Sequence, residues 1–390
     1  ASQAPSILMS AIQHAWARRD VGVVVLPGDI ADAPAEMKNL VHPPSYTREN
    51  VVPEHESVSL LARMLDDHRR ITFFCGAGCA GAEDKVVRLA HRLKAPIAYT
   101  WRGKDYFEHD NPLGIGMTGL LGWGDAYKAM HESDMLVLWG TDFPYFNFIP
   151  TKPEIVQIDR RGEVLGRRCR LDLGICGDVG ATVDALLGMV EEKKDSDHLD
   201  ASLKRHAKDV KDMNAYMDGN DKESPIRPEQ VTTAVNKYAA PDAVFTVDTG
   251  TPCIWSARFL CSTLGRKTLA SFNHGSMANA MPMAIGAQKA YPNRQVVALC
   301  GDGGLSMLLG DLITIVQYRL PVKIVVYNND CLDFIQLEMQ AAGLIPWQIN
   351  LNNPSFAAVA DAVGIKGFLL DKSSQVDQMV NMFLNYPGAA

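Results

Sequence analysis

Gly301-Asp302-Gly303-Gly304, with Asn329 standing 27 residues beyond Asp302 as the second member of Asn328-Asn329, is the stretch on which the reading of this 390-residue chain turns. Residues 296–300 before it (Val-Val-Ala-Leu-Cys) are a short apolar run of buried-strand type. After it Leu308, Leu309, Leu312, Ile313, Ile315 and Val316 recur at helical spacing. Pro321 interrupts that pattern, and residues 322–327 (Val-Lys-Ile-Val-Val-Tyr) form a second β-branched run. The segment therefore reads strand, helix, strand: a parallel unit with a right-handed crossover. In such a unit the carboxyl ends of both strands open at one edge of the sheet, so Asp302 and Asn329 are predicted to meet.

That meeting suits a divalent ion holding a diphosphate. Magnesium takes about six oxygens, usually a carboxylate, neutral oxygens, water and substrate phosphates. Asp302 offers the charge, Asn329 an amide oxygen and Cys331 a backbone carbonyl, while Gly303 and Gly304 let backbone N–H groups approach phosphate. Singly, Gly-Asp-Gly is also an ordinary turn and Asn-Asn an ordinary strand end. Together, at this spacing, they resemble the diphosphate-binding motif of thiamine diphosphate (ThDP) enzymes. Residues 271–282 (Ser-Phe-Asn-His-Gly-Ser-Met-Ala-Asn-Ala-Met-Pro), the 301–329 segment, and Leu332 with Phe334 are similar to the flavin-containing pyruvate oxidases, most closely the quinone-reducing pyruvate dehydrogenases of bacteria. The resemblance implies an α/β chain with two doubly wound parallel-sheet domains, a middle domain of FAD-binding type and a carboxy-terminal ThDP diphosphate domain, plus the tail of a third.

Composition narrows the class. Apolar content of 47% and charged content of 21% are ordinary globular values, and a net charge of −7 with no basic or aromatic stripe argues against nucleic acid. No apolar run reaches the roughly 18 residues of a membrane span. Residues 7–19 are amphipathic rather than a signal peptide. The eight cysteines are scattered singly. Even Cys75 and Cys79 lack partners at zinc-ligand spacing, so most read as small buried hydrophobes in a reducing cytoplasm.

In chain order, residues 1–36 read as one helix (7–19) and one buried strand (21–27), too little to make a domain. They are expected to be the tail of a pyrimidine-binding domain, with 37–54 a Pro-containing linker. Residues 55–190 form the middle domain: a helix at 58–67, a strand at 71–75, then Gly76, Gly78 and Gly81 at dinucleotide-fingerprint spacing opening a helix to about residue 93. The acidic residue NAD requires about 20 positions on is missing, because the strand at 96–101 ends in Arg102. Further strands are predicted at 135–139 and 155–159. By the resemblance, Thr118, Gly119, Leu120, Leu121, Thr141, Asp142, Phe143, Pro144, Tyr145 and Asp159 line FAD; the alternative is a nucleotide fold without ligand. Residues 191–226 are rich in Lys, Asp and Glu and read as a charged linker containing a solvated helix at 204–217. Residues 227–390 form the ThDP domain: a strand at 243–247, a turn Asp248-Thr249-Gly250-Thr251-Pro252, a helix at 275–290, the metal motif and a helix at 355–363. The sheet is expected to add a further strand beyond residue 386.

The resemblance makes Met277 the bulky side chain that folds ThDP, beside Gly275 and Ser276, and Phe334 a carrier of electrons toward flavin; Asp330, Cys331, Leu332, Asp333 and Ile335 complete the cofactor-binding run. Met277 as a core methionine and His274 as a structural rather than proton-transferring residue remain open. Asp333 departs from the family, which has a small residue there, and residues 146–148 also differ. The implied reaction is oxidative decarboxylation of pyruvate to acetate and carbon dioxide with ThDP, Mg2+ and FAD, a quinone as acceptor, in a homodimer or homotetramer, cytoplasmic or peripheral at the membrane through a carboxy-terminal segment. The rivals are an acetolactate synthase-like transferase and a non-catalytic nucleotide-binding fragment. The activating glutamate of the family lies in the pyrimidine-binding domain, so these 390 residues alone are expected to be inactive.

Overall fold

The computed structural model describes residues 3–18, 20–34, 49–218, 225–263 and 265–390. The chain divides into two units, residues 1–51 and 52–390. In the first, a helix Ala4–Arg18 carries Ile7, Leu8, Ile12 and Trp16 exposed, and a short turn of helix covers Gly28–Ala31. The buried strand predicted at 21–27 is not formed: these residues are extended, unpaired and open, with Val21, Val23, Val25 and Leu26 all exposed. A strand is stable only when its N–H and C=O groups find a second strand, and the described residues of this unit supply none. Positions 37–48 of the predicted linker lie outside the described residues.

The second unit holds two parallel sheets. The first contains β1 (Ile71–Cys75), β2 (Ile97–Tyr99), β3 (Gly114–Met117), β4 (Trp123–Gly124), β5 (Met135–Trp139), β6 (Glu154–Asp159) and β7 (Leu173–Cys176), in the order β4-β3-β2-β1-β5-β6-β7. Every pairing is parallel except the edge hairpin β3–β4. β1 and β5 are buried along their whole length, which is why they read as unbroken apolar runs rather than alternating ones. Helices His55–Asp67, Glu83–Leu93 and Val179–Leu187 cover one face. The second sheet contains β8 (Val244–Val247), β9 (Lys267–Ala270), β10 (Val296–Gly301) and β11 (Lys323–Tyr327), ordered β11-β10-β8-β9 and wholly parallel. Its two faces bury separate clusters, one under helices Pro228–Tyr238 and Val376–Leu384, the other under Ala280–Ala290. Ala390 lies along the outer edge of β11, donating to Val322 O at 3.2 Å and accepting from Ile324 N at 2.7 Å.

Several boundaries differ from the sequence reading. The strand at 96–101 ends at Tyr99, because Thr100 caps a helix Trp101–Phe107 by accepting from Gly103 N, and Arg102 is helical. The helix predicted from Gly76 begins only at Glu83, after a tight turn at Ala77–Cys79. Of the fingerprint glycines, Gly81 has nothing within 4 Å of a Cβ, but Gly76 and Gly78 do not face an open crevice. A Cβ at Gly78 would lie 2.7 Å from the Gly140 Cα, and one at Gly140 2.6 Å from Gly78, so the loops after β1 and β5 close on each other backbone to backbone.

The charged stretch 191–226 is a linker only in part. Its helix runs Asp197–Asp218, and the first three turns pack on the first sheet with Leu199 and Ser202 buried; positions 219–224 lie outside the described residues. Arg205 donates to Asp125 Oδ2 at 2.8 Å, His198 Nε2 lies 2.9 Å from Thr72 Oγ1, and the His206 ring packs on Trp123. The charge pattern concealed this face because its docking residues are themselves polar. Helix Trp101–Phe107 joins the two sheets: Asp105 accepts from Thr268 N and Ser262 Oγ, both at 3.2 Å, and Glu108 from Ser262 N at 2.7 Å and from buried Lys104.

Two predictions follow from this packing. Gly140 has φ 55° as well as no room for a side chain, so Gly140→Ala should cost about 2 kcal/mol or more. Chemical denaturation giving a loss below about 0.5 kcal/mol would contradict the contact. Burial pushes the pKa of His198 and His206 down, against the opposing pull of Glu132, Asp125, Asp209 and Glu108. Their folded-state pKa values lie below the unfolded value of about 6.5, so the stability they support is present above that pH and lost as pH falls through it. A His198→Gln/His206→Gln variant should show a shallower fall of stability between about pH 7 and 5 than the parent; equal slopes would exclude the histidines as the cause.

Candidate cofactor site

The strand order of the second sheet reverses between β8 and β10, and ligands of such sheets sit beyond the carboxyl ends of the strands at that point. β10 runs directly into a helix Asp302–Met307. Asp302, only 4% exposed, gathers donors from three segments. Its Oδ1 accepts from Gly303 N at 2.8 Å, and its Oδ2 from Asp330 N at 2.9 Å, Asn329 N at 3.2 Å and Asn353 Nδ2 at 2.8 Å. Asp330 holds φ 54°, which turns its amide and that of Asn329 toward one oxygen. Asn329 Oδ1 accepts from Cys331 N at 3.1 Å. The predicted meeting of Asp302 and Asn329 is thus present.

Asn353 was not anticipated. It precedes Pro354 and the capping Ser355 of helix Phe356–Val363, and its side chain also donates to Asn328 Oδ1 at 2.8 Å. The Asn-Pro pair marks a turn in sequence but says nothing about which carboxylate lies opposite.

The donor set fits magnesium. Among the described residues no group of three or more His, Cys, Asp or Glu surrounds a common point. One carboxylate with an amide and a backbone oxygen is what a hard ion bound partly by phosphate uses. The Cys331 thiol is held in its neutral form, its pKa raised by burial and then by Asp333 and Asp302, and it points to Gln336 Oε1 at 3.1 Å. A neutral thiol engaged by Gln336 leaves the Cys331 carbonyl as the atom that could face a hard cation.

The glycines form a cradle. A Cβ at Gly303 would lie 2.9 Å from Leu332 Cδ2, 3.3 Å from Leu351 Cδ1 and 3.5 Å from Met277 Cε; one at Gly304 would overlap Asp248 Oδ2. Met277, Leu332 and Gly303, far apart in sequence, are thereby adjacent. The helix expected from Gly275 starts at Ala280. Residues 275–279 form a turn with Gly275 and Ala278 both at φ 61°, and this presents Met277 outward, 36% exposed, so it is not a core methionine. The amides of Gly275 and Ser276 are held by Ser271 O and Oγ at 2.8 and 3.0 Å. His274 is exposed. Asp333 and Phe334 open a helix Asp333–Ala341, Phe334 half-buried and Ile335 exposed.

On the first sheet, Thr118, Thr141 and Asp159 follow β3, β5 and β6 at the same edge. Thr118 Oγ1 is buried without a partner, while Asp159 Oδ1 accepts from Arg161 N at 3.0 Å and Asp142 pairs with Arg167 and Arg168. Phe143 packs inward on Phe74 and against Gly119, whereas Leu120 and Tyr145 are exposed. Hydroxyls, a strand-end carboxylate and several arginines fit an anionic dinucleotide. The start of helix Glu83–Leu93 does not, because Glu83 and Asp84 occupy its first turn.

These features define a two-sheet α/β protein whose second sheet gathers a buried carboxylate, glycines and strand-end amides at its switch point. Residues 58–186 match the thiamine pyrophosphate enzyme central domain and residues 248–390 the C-terminal TPP binding domain; the chain carries these two domains of that family. It is 30% identical over 376 residues to YdaP of Bacillus subtilis, provisionally assigned as thiamine pyrophosphate-containing, and 30% identical over 385 residues to a pyruvate oxidase of Lactiplantibacillus plantarum, covering 96% of this chain in each case. It is 27% identical over 342 residues, 85% of its length, to an acetolactate synthase large subunit of Porphyra purpurea. The chain spans 65%, 63% and 58% of those relatives, less than two thirds of each.

The geometry predicts that Asp302→Ala abolishes magnesium-dependent ThDP binding and that Asn353→Ala, which strips one donor from the same carboxylate, weakens it about 10- to 100-fold. Titration calorimetry decides this; unchanged affinity in Asp302→Ala would remove the metal assignment.

Proposed function

We propose that this protein oxidatively decarboxylates pyruvate to acetate and carbon dioxide, using ThDP, Mg2+ and FAD and passing electrons to a quinone. The observation that carries the reading is the seam between the two sheets. Arg258 Nη2, on the helix that follows the Asp248 turn, donates to Gly122 O at 3.1 Å, directly after the Thr118–Leu121 loop assigned to flavin. Trp101 and Leu121 pack against the cores of both sheets. The two sheets therefore touch along one seam, and in this reading both cofactors sit beside it, as transfer of electrons between them requires. The 30% identity to a pyruvate oxidase supports the same reading.

Bound ThDP supplies a carbon nucleophile and an electron sink for loss of carbon dioxide from a 2-keto acid, and bound FAD an acceptor for the electron pair. The chain's own residues position and exclude. Asp302, Asn329 and the Cys331 carbonyl would hold the cation, and Gly303 and Gly304 give the diphosphate room. Met277, beside Gly275 and Ser276 and near Leu332, would be the side chain that braces ThDP. Phe334, in the first turn of its helix, would be the residue that aids electron transfer toward flavin. Residues 1–36 belong in this reading to the tail of a pyrimidine-binding domain, supported by the exposed apolar face of helix Ala4–Arg18. The assembly is a homodimer or homotetramer in the cytoplasm or at the membrane surface. Among the described residues no helix is long and apolar enough to cross a membrane.

The purified protein should release FAD rather than NAD on denaturation, and the complete subunit should reduce a dye or quinone when given pyruvate. A colourless protein that takes up no added FAD would refute the flavin assignment. Acetolactate formed from pyruvate without dye reduction would transfer the reading to the synthase branch represented by the algal relative.

A further inference from the structure

Asp248, the residue after β8, is 1% exposed, and no side-chain cation offsets its charge: burial pushes its pKa up to about 6, opposed only by the amides of Ala280, Gly301 and Asn279. Its Oδ1 accepts from Ala280 N at 2.8 Å. Its Oδ2 has no hydrogen-bond partner and faces Gly304, at the place a Gly304 side chain would occupy. The same hypothetical Cβ would lie 3.3 Å from Ala278 N, so the turn that carries Met277 and the start of the diphosphate cradle converge on this one carboxylate. Such a group is costly to a fold. With its folded-state pKa raised above the unfolded value, the stability tied to the protonated form is lost as pH rises through about 6, so at neutral pH the charge works against folding. An apolar residue, which would remove that penalty, would also release the amides it gathers. Acceptor-only chemistry suits a carboxylate toward which the amides of Ala280, Gly301 and Asn279 are directed.

We propose that Asp248 is a positioning residue that anchors the Met277 turn to the Gly301–Gly304 cradle, so that the wall facing the rings of ThDP is held in register with a floor that Asp302 and its donors shape independently. This rests on the reading above, in which residues 275–279 face the rings and residues 303–304 the diphosphate. It adds a residue that touches neither the metal ligands nor the reacting atoms and acts through the backbone of both segments.

The test compares two ligands on the full chain, each with Mg2+: ThDP, which engages turn and cradle, and inorganic diphosphate, which engages the cradle alone. In Asp248→Ala, ThDP affinity should fall about tenfold or more while diphosphate affinity stays within about threefold of the parent. Asp248→Asn, whose amide oxygen can still accept from Ala280, should restore ThDP affinity to within about threefold. Unchanged ThDP binding in Asp248→Ala overturns the proposal, as does an equal loss for both ligands, which a merely structural role would give. Should Asp248→Ala fail to fold, hydrogen exchange on the parent decides. The Asn279 and Ala280 amides should gain more protection with ThDP than with diphosphate, and equal protection overturns the coupling. A parent protein that binds diphosphate but not ThDP would refute the reading of the turn itself, a result distinct from any effect of Asp248.

Discussion

The second sheet is organised around what one carboxylate can collect. Asp302 takes hydrogen bonds from its own helix start, from the amides beyond β11 and from Asn353 before a further helix. Those contributors are separated by up to 51 residues and share nothing but an address at the carboxyl edge of a parallel sheet. Parallel pairing makes that address possible, because every crossover returns the chain to the same end. A carboxylate so held is fixed in orientation by the protein's own donors.

The two sheets use glycine at their switch points in different ways. At the first, Gly76, Gly78 and Gly140 bring two loops into direct backbone contact, and Gly76 N donates to Trp139 O at 2.9 Å. At the second, a Cβ would meet side chains instead: Leu332, Leu351 and Met277 at Gly303, and the buried Asp248 carboxylate at Gly304. The same residue type permits close approach at both, and the difference lies in what stands opposite: backbone in one case, side-chain ends in the other.

Contact between the sheets depends on helix Trp101–Phe107. Its acidic residues accept amides from the β9 region, and burial raises the pKa of Asp105 despite the opposing pull of Lys267 and Lys104. Buried polar contacts of this sort add orientation more than stability. Here that orientation accompanies a direct contact between Gly122, after the Thr118–Leu121 loop, and Arg258 on the helix that follows β8.

By itself the sequence determined the class of fold, the strand–helix–strand unit around Asp302 and the meeting of Asp302 with Asn329, because local apolar period and the geometry of a parallel crossover leave few alternatives. It also located β1, β5, β6, β8, β10 and β11 within a residue or two, most of them buried and rich in apolar residues. It misplaced what depends on partners. Residues 21–27 have strand composition but no described strand to pair with, and residues 197–206 have linker composition yet dock through Arg205, His198 and His206. Only the tertiary structure decided that Met277 sits on a turn beside Gly303, that Asn353 joins the Asp302 carboxylate, and that Asp248 lies beneath the cradle with one oxygen unpaired. These are contacts between segments distant along the chain, and hydrophobic periodicity carries no information about which polar side chain faces which after the sheets have closed.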